Sequence, residues 1–324
     1  MNRHYSRKSC VSTAISSIGI TLCLATSLAF GAPENANEHS TKAGVVSAIK
    51  QTINQHEHAL PSMFYKGFVY IKTSVNGHPD AWMILDSGTT DSIIDTTYAN
   101  TIGLKLTPSA NAQETFGPMK TDTFDTDTVH LRVGAEPEKV VFFQSISIGG
   151  MMGPDGVPPA GMLGHTFLEG KSIVIDYKRE VVYFETTPRP ADHRDVAMTI
   201  KAGIGIPVIQ LKIANQLVDS LIDTGGTYDI IITPAKAKEL GIESLMAAGK
   251  SGASHGHGGE QHFVAGKAPP FSIGELAVHD LNAAYTTFGT ATDTIGAGVS
   301  LGIGFLKKYK VTLNYVANTV RFEP

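Results

Sequence analysis

From Phe64 onward the alternation of apolar and polar positions reads as β structure. Gly67 to Thr73 alternates and leads to an Asn76-Gly77 turn, and the apolar run Ala81 to Leu85 climbs back to Asp86, which predicts a hairpin whose second strand delivers one carboxylate. Ser87, Gly88 and Thr89 follow at once. The same plan recurs: Ile206 to Ile213 turns at Asn215-Gln216 and returns through Leu217 to Ile222, Asp223, Thr224, Gly225 and Gly226.

The repetition runs well past the acidic residues. Ile93 and Ile94 answer Ile230 and Ile231 at a shift of 137. Two short helices are predicted next, Tyr98 to Ile102 before Gly103-Leu104, and a second with Thr233 as N-cap and Pro234 at its first position, ending at Gly241-Ile242. The shift there becomes 138 and stays so, with Gly164, Phe167, Leu168, Tyr177, Phe184 and Glu185 answered by Gly302, Phe305, Leu306, Tyr315, Phe322 and Glu323. Two copies of one unit are present. We expect an N-terminal lobe over 62–187, a linker rich in Pro, Arg and Asp over 188–195, and a C-terminal lobe over 196–324.

Length supports this division, since 324 residues correspond to about two domains at roughly 150 residues each. A net charge of -4 without a long basic run gives no electrostatic reason to expect nucleic acid or an anionic membrane as partner. Arg3, His4, Arg7 and Lys8 precede an apolar stretch from Ile15 to Phe30 that ends in small residues, so 1–32 reads as a signal peptide. An uncleaved anchor is the other reading, although that stretch is shorter than the ~20 residues a span needs. Both cysteines, Cys10 and Cys23, lie in this segment, so the mature chain has neither disulfide nor thiol nucleophile. Export, to the periplasm of a Gram-negative bacterium, is the expected destination, with no integral membrane span in the mature chain. Residues 33–61 form a polar linker or helical arm, with an amphipathic helix predicted over 42–58.

The two acidic segments resemble those of the aspartic peptidase superfamily, pepsin and the retroviral-type proteases, and among these a duplicated, two-lobed bacterial enzyme. The shared pattern is two apolar residues, Asp, Ser or Thr, Gly, then Ser or Thr, followed later by an apolar-apolar-Gly segment. Here that segment is Gly161-Met162-Leu163-Gly164 and Ser300-Leu301-Gly302, with the closing glycine 78 residues after Asp86 and 79 after Asp223. The resemblance implies a mainly β fold of two homologous closed-barrel-like lobes about a pseudo-twofold axis, with short helices. It implies Asp86 and Asp223 as catalytic carboxylates, Ser87 and Thr224 hydrogen-bonded across the axis, a peptide or protein substrate, and no cofactor or metal. A monomer suffices, because duplication supplies both carboxylates. Two like charges a few Å apart cannot easily ionise together, so such a pair keeps one proton and can activate a water. Gly88 and Gly225 let backbone N–H groups approach a carboxylate where a side chain would intrude.

One position departs from the pattern. Thr89 places a hydroxyl beside the first acid, but its counterpart Gly226 has none and Thr227 comes one residue late. A missing donor raises a carboxylate's pKa, so a weak or narrowly specific peptidase is expected, with a catalytically silent peptide-binding module as the alternative. Binding of cell-wall or other non-protein material is a third reading for which the sequence offers nothing positive. Flap candidates are Phe116 and Gly117 within Asn111 to Thr123, and His257 within Ser251 to His262, the latter expected as a glycine-rich loop whose histidines face water rather than a metal. Trp82 is expected to pack, and the Lys307-Lys308-Tyr309-Lys310 cluster to mark a solvated turn before a final strand.

Overall fold

The computed structural model describes residues 59–109, 122–148, 150–187, 189–200, 205–256, 259–287 and 296–324. Strands dominate, and the longest described helices, Thr96–Thr101 and Pro234–Glu239, have six residues each. The chain has the mainly β, two-lobed architecture of the acid proteases. The predicted signal segment and arm, up to residue 58, lie outside the described residues, as do Phe116, Gly117 and His257. Among the described residues no helix is long and apolar enough to cross a membrane.

Both predicted hairpins form. Phe68–Val75 pairs antiparallel with Ala81–Leu85, Tyr70 opposite Ile84, and the turn places Asn76 and Gly77 at φ of 48° and 75°. Asn and Gly reach that left-handed region at low cost. In the second unit Pro207–Ile213 pairs with Gln216–Ile222, but the turn residues are Ala214 and Asn215, because Gln216 is already paired with Ile213. The two helices begin on side-chain caps: Asp95 accepts from the N–H groups of Thr97 and Tyr98, and Thr233 accepts from Lys236 with Pro234 just inside.

Each acidic strand is flanked by its distant partner segment. Gly161–Leu163 lies parallel to Ala81–Leu85 and antiparallel to Ser92–Asp95, and Val299–Leu301 lies parallel to Gln216–Ile222 and antiparallel to Ile230–Ile232. Strands buried on both faces need apolar residues on both, which is why these runs show no alternation. Trp82 is buried in a cluster with Phe68, Tyr70, Ile84, Ile93 and Met162, to which the second unit contributes Ile303.

The pseudo-twofold axis can be read from a strand register. Ser172–Asp176 of the first unit pairs antiparallel with Lys310–Asn314 of the second, with Val174 opposite Thr312. Those two are each other's counterparts at the shift of 138, and the flanking pairs Ile173 with Leu313 and Ile175 with Val311 exchange places about them. Val181–Phe184 and Thr319–Glu323 extend this shared sheet on either side. The segment before the second unit is tied to it by charge: Arg321, 2% exposed, donates to both oxygens of Asp195 at 2.8 and 2.6 Å and lies 3.2 Å from Asp192.

The expectation of a loop over Ser251 to His262 is corrected. Lys250–Gly256 and Gly259–Lys267 form an antiparallel hairpin, and the second strand pairs in turn with Asn282–Tyr285. Composition misleads here because the glycines serve packing: a Cβ on Gly252 would meet the Phe263 ring at 2.7 Å. The His262 side chain is 80% exposed, 3.3 Å from Glu260. No group of potential metal ligands occurs among the described residues.

Candidate active site

The ends of the two acidic strands meet on the axis. The Asp86 N–H donates to Leu163 O at 3.0 Å and the Asp223 N–H to Leu301 O at 2.9 Å, so each acid is held where its strand leaves the sheet beside the partner segment. The chain then turns back on the carboxylate. Gly88 N–H donates to Asp86 Oδ1 and Gly225 N–H to Asp223 Oδ1, both at 2.8 Å.

Ser87 and Thr224 lock the loops reciprocally. Ser87 N–H donates to Thr224 Oγ1 at 2.9 Å, and Thr224 N–H to Ser87 Oγ at 3.1 Å. Each hydroxyl then donates to the carbonyl before the opposite acid: Ser87 Oγ to Ile222 O at 2.7 Å, Thr224 Oγ1 to Leu85 O at 2.9 Å. All four bonds are buried, so removing one hydroxyl strands two backbone groups at a cost of roughly 1–3 kcal/mol each. Ser87→Ala is therefore expected to lower stability by about 2–4 kcal/mol in urea unfolding. A loss below about 0.5 kcal/mol would show that the grip contributes little to holding the lobes together.

The glycines cross the axis as well. A Cβ on Gly88 would lie 2.6 Å from Asp223 Oδ1 and 3.2 Å from Asp86 Oδ1, and one on Gly225 would lie 2.3 Å from Asp86 Cγ. Each loop thus packs against the opposite carboxyl, which brings the two acids together on the axis. Both aspartates are 0% exposed. Burial first, and the Asp86 charge second, push the Asp223 carboxyl well above the usual carboxylate range, while the Tyr228 phenol and the Gly225 N–H pull it down. A family model described as Aspartyl protease matches the chain over residues 71–167 and again over 209–305, more than half of its length and one match for each repeat. The chain belongs to the aspartyl protease family. No curated protein matches it.

The raised carboxyl gives this family member a signature in stability. The native state keeps a proton that the unfolded chain releases near pH 4, so the contribution is complete below that range and is lost as pH rises through it toward the folded value. Urea unfolding from pH 3.5 to 7 is expected to show a decline in wild type, relative to Asp223→Asn, of at most about 1.4 kcal/mol per pH unit, the slope of one proton. Parallel curves would mean that no proton is retained at Asp223.

The expectation that Gly226 leaves Asp223 short of a hydroxyl is not met. Tyr228 Oη donates to Asp223 Oδ2 at 2.8 Å and sits 2.6 Å from Ser300 Oγ. A Cβ on Gly226 would strike the Tyr228 ring at 2.3 Å, so the glycine is what admits the phenol. Thr227 does not take over, its buried hydroxyl having no hydrogen-bond partner among the described residues. In the first repeat the Thr89 hydroxyl donates to Asp91 O at 3.1 Å. Ser87, Gly88, Thr89, Thr224, Gly225 and Gly226 are thus all gathered about Asp86 and Asp223. Tyr228 and Ser300 are the residues that motif reading missed. A faint signal exists in the duplication, where their counterparts are Asp91 and Met162, so both exchange together with Thr89 for Gly226.

Proposed function

We propose that this chain is an exported aspartic endopeptidase that hydrolyses peptide bonds with a water activated between Asp86 and Asp223. The observation that carries this reading is the pair of fully buried carboxyls, each covered by the glycine of the opposite loop and held on the axis by the reciprocal Ser87–Thr224 bonds. One carboxylate acts as general base on the water while the protonated partner polarises the scissile carbonyl, and the roles exchange when the leaving amine takes its proton. The N–H groups of Gly88 and Gly225 each hold one oxygen of their own acid, and the Tyr228 hydroxyl holds the second oxygen of Asp223. The chain works as a single two-lobed monomer on peptide or protein substrates and needs no cofactor. Residues 62–187 and 196–324 are the lobes, and removal of residues 1–32 accompanies export.

The alternative of a silent peptide-binding module drew on Gly226 and on the unusual second-lobe flap, and the Tyr228 hydroxyl supplies the donor that Gly226 lacks. Incubating the protein lacking residues 1–32 with denatured protein and a peptide library from pH 3 to 7, with and without pepstatin, tests the reading. Cleavage with an acidic to neutral optimum is expected. Peptide binding without cleavage at any pH would overturn it.

A further inference from the structure

The second half of the dyad carries a chain of hydroxyls, Ser300 and Tyr228, that ends on Asp223. Tyr228 has a single proton, and it goes to Asp223 Oδ2, so the 2.6 Å contact with Ser300 is a bond in which Ser300 Oγ–H donates to Tyr228 Oη. The relay runs from Ser300 through Tyr228 to Asp223, each donor polarising the next, in a site without solvent exposure where such bonds are strong. The positions that correspond to Tyr228 and Ser300 in the first repeat are Asp91 and Met162, so this tyrosine–serine pair is not repeated beside Asp86.

Tyr228 is also held firmly enough to position what it touches. It is 2% exposed, its carbonyl accepts from Gly304 N–H at 2.9 Å, and the carbonyl of Gly226 accepts from Ile303 N–H at 2.6 Å. Gly302 allows this close approach, because a Cβ there would meet the Tyr228 and Gly226 carbonyl oxygens at 2.5 and 2.6 Å. The phenol keeps its proton throughout the working range, burial and the charge of Asp223 raising it well above its ordinary value.

We infer that Tyr228, backed by Ser300, is a positioning residue that replaces the hydroxyl lost at Gly226, orients Asp223 and favours its ionised form, so that the two aspartates of this site are not interchangeable. The inference rests on the peptidase reading for its kinetic consequence but not for its geometry. A phenol is a stronger donor than an aliphatic hydroxyl, and a donor to the charged form lowers a carboxylate's pKa.

The test is Tyr228→Phe, which keeps the ring and removes the donor. Expected are a kcat about 10- to 100-fold lower, as loss of one hydrogen bond to a charged group allows, with KM little changed. The acid limb of kcat/KM moves to higher pH. Ser300→Ala moves that limb the same way by less, without touching Asp223. Gly226→Thr alone is expected to be worse than wild type because its Cβ meets the ring, whereas Gly226→Thr combined with Tyr228→Ala restores an aliphatic donor and returns the limb toward its wild-type place. A wild-type pH profile and kcat in Tyr228→Phe would overturn the inference. Carbon-13 NMR titration of labelled aspartate in wild type and Tyr228→Phe separates the two layers. If wild type cleaves nothing, the peptidase reading fails, yet a higher carboxyl midpoint in the variant still supports the positioning role, and an unchanged midpoint overturns it.

Discussion

Asn at either position 86 or 223 will reduce peptide hydrolysis by roughly 10³-fold or more, within the range of about 10² to 10⁴ that positioned acid–base groups contribute. The amide has the size of the carboxyl, and its oxygen can still accept from Gly88 or Gly225 at the 2.8 Å positions, while at position 223 its NH2 turns the Tyr228 hydroxyl from donor to acceptor, so the overall fold is expected to persist. On the proposed mechanism, what disappears is the ability of one member to take the water's proton while the other holds one. The two acids act as a unit, so the double variant should be no slower than the worse single one. Steady-state cleavage of a peptide identified in the pH survey, alongside circular dichroism and thermal unfolding, checks this. A single variant that keeps more than about a tenth of wild-type turnover would show that water is not activated between these carboxyls.

Gly225→Ala is expected to remove activity nearly as completely, and with a loss of stability that the isosteric change lacks. The added methyl would lie 2.3 to 2.6 Å from the three carboxyl atoms of Asp86, and its mate at Gly88 2.6 and 2.8 Å from Oδ1 and Cγ of Asp223. Neither glycine has a positive φ, so the requirement is room on the axis and not backbone freedom. Relief must come from parting the carboxyls or the loops, and overpacking of a dense site costs about 1–3 kcal/mol, occasionally more. Gly103→Ala is the comparison: its φ of 73° carries a strain penalty, yet nothing lies within 4 Å of the added carbon, and activity should be retained. Kinetics with urea unfolding on both variants decides it. An active Gly225→Ala enzyme would mean that the two loops need not approach as closely as they do here.

Both predictions depend on features of different legibility. The acidic strands could be read because they are buried on both faces and end on Asp, and the helices because Thr233 and Pro234 are cap and first-turn residues whose chemistry is local. The Ala214-Asn215 turn was misplaced by one residue, since register is settled by pairing across the hairpin and not by the composition of the turn. The hairpin over Lys250–Gly256 and Gly259–Lys267 was hidden by its glycines, of which Gly252 lies against the ring of Phe263 on the facing strand.

By itself the sequence determined that the chain is a duplication, that each copy carries one acid at the end of an apolar strand, and that each acid has a matched segment 78 or 79 residues on. Those are repeats of residue type at constant spacing, and they survive without coordinates. Only the tertiary structure decided which atoms serve which acid: that Gly225 faces Asp86, that Gly88 faces Asp223, and that a phenol five residues away, backed by a serine 72 residues beyond it, stands in for the hydroxyl missing at Gly226. A hydrogen bond depends on where side chains converge when two sheets close about an axis, and separation along the chain carries no record of that convergence.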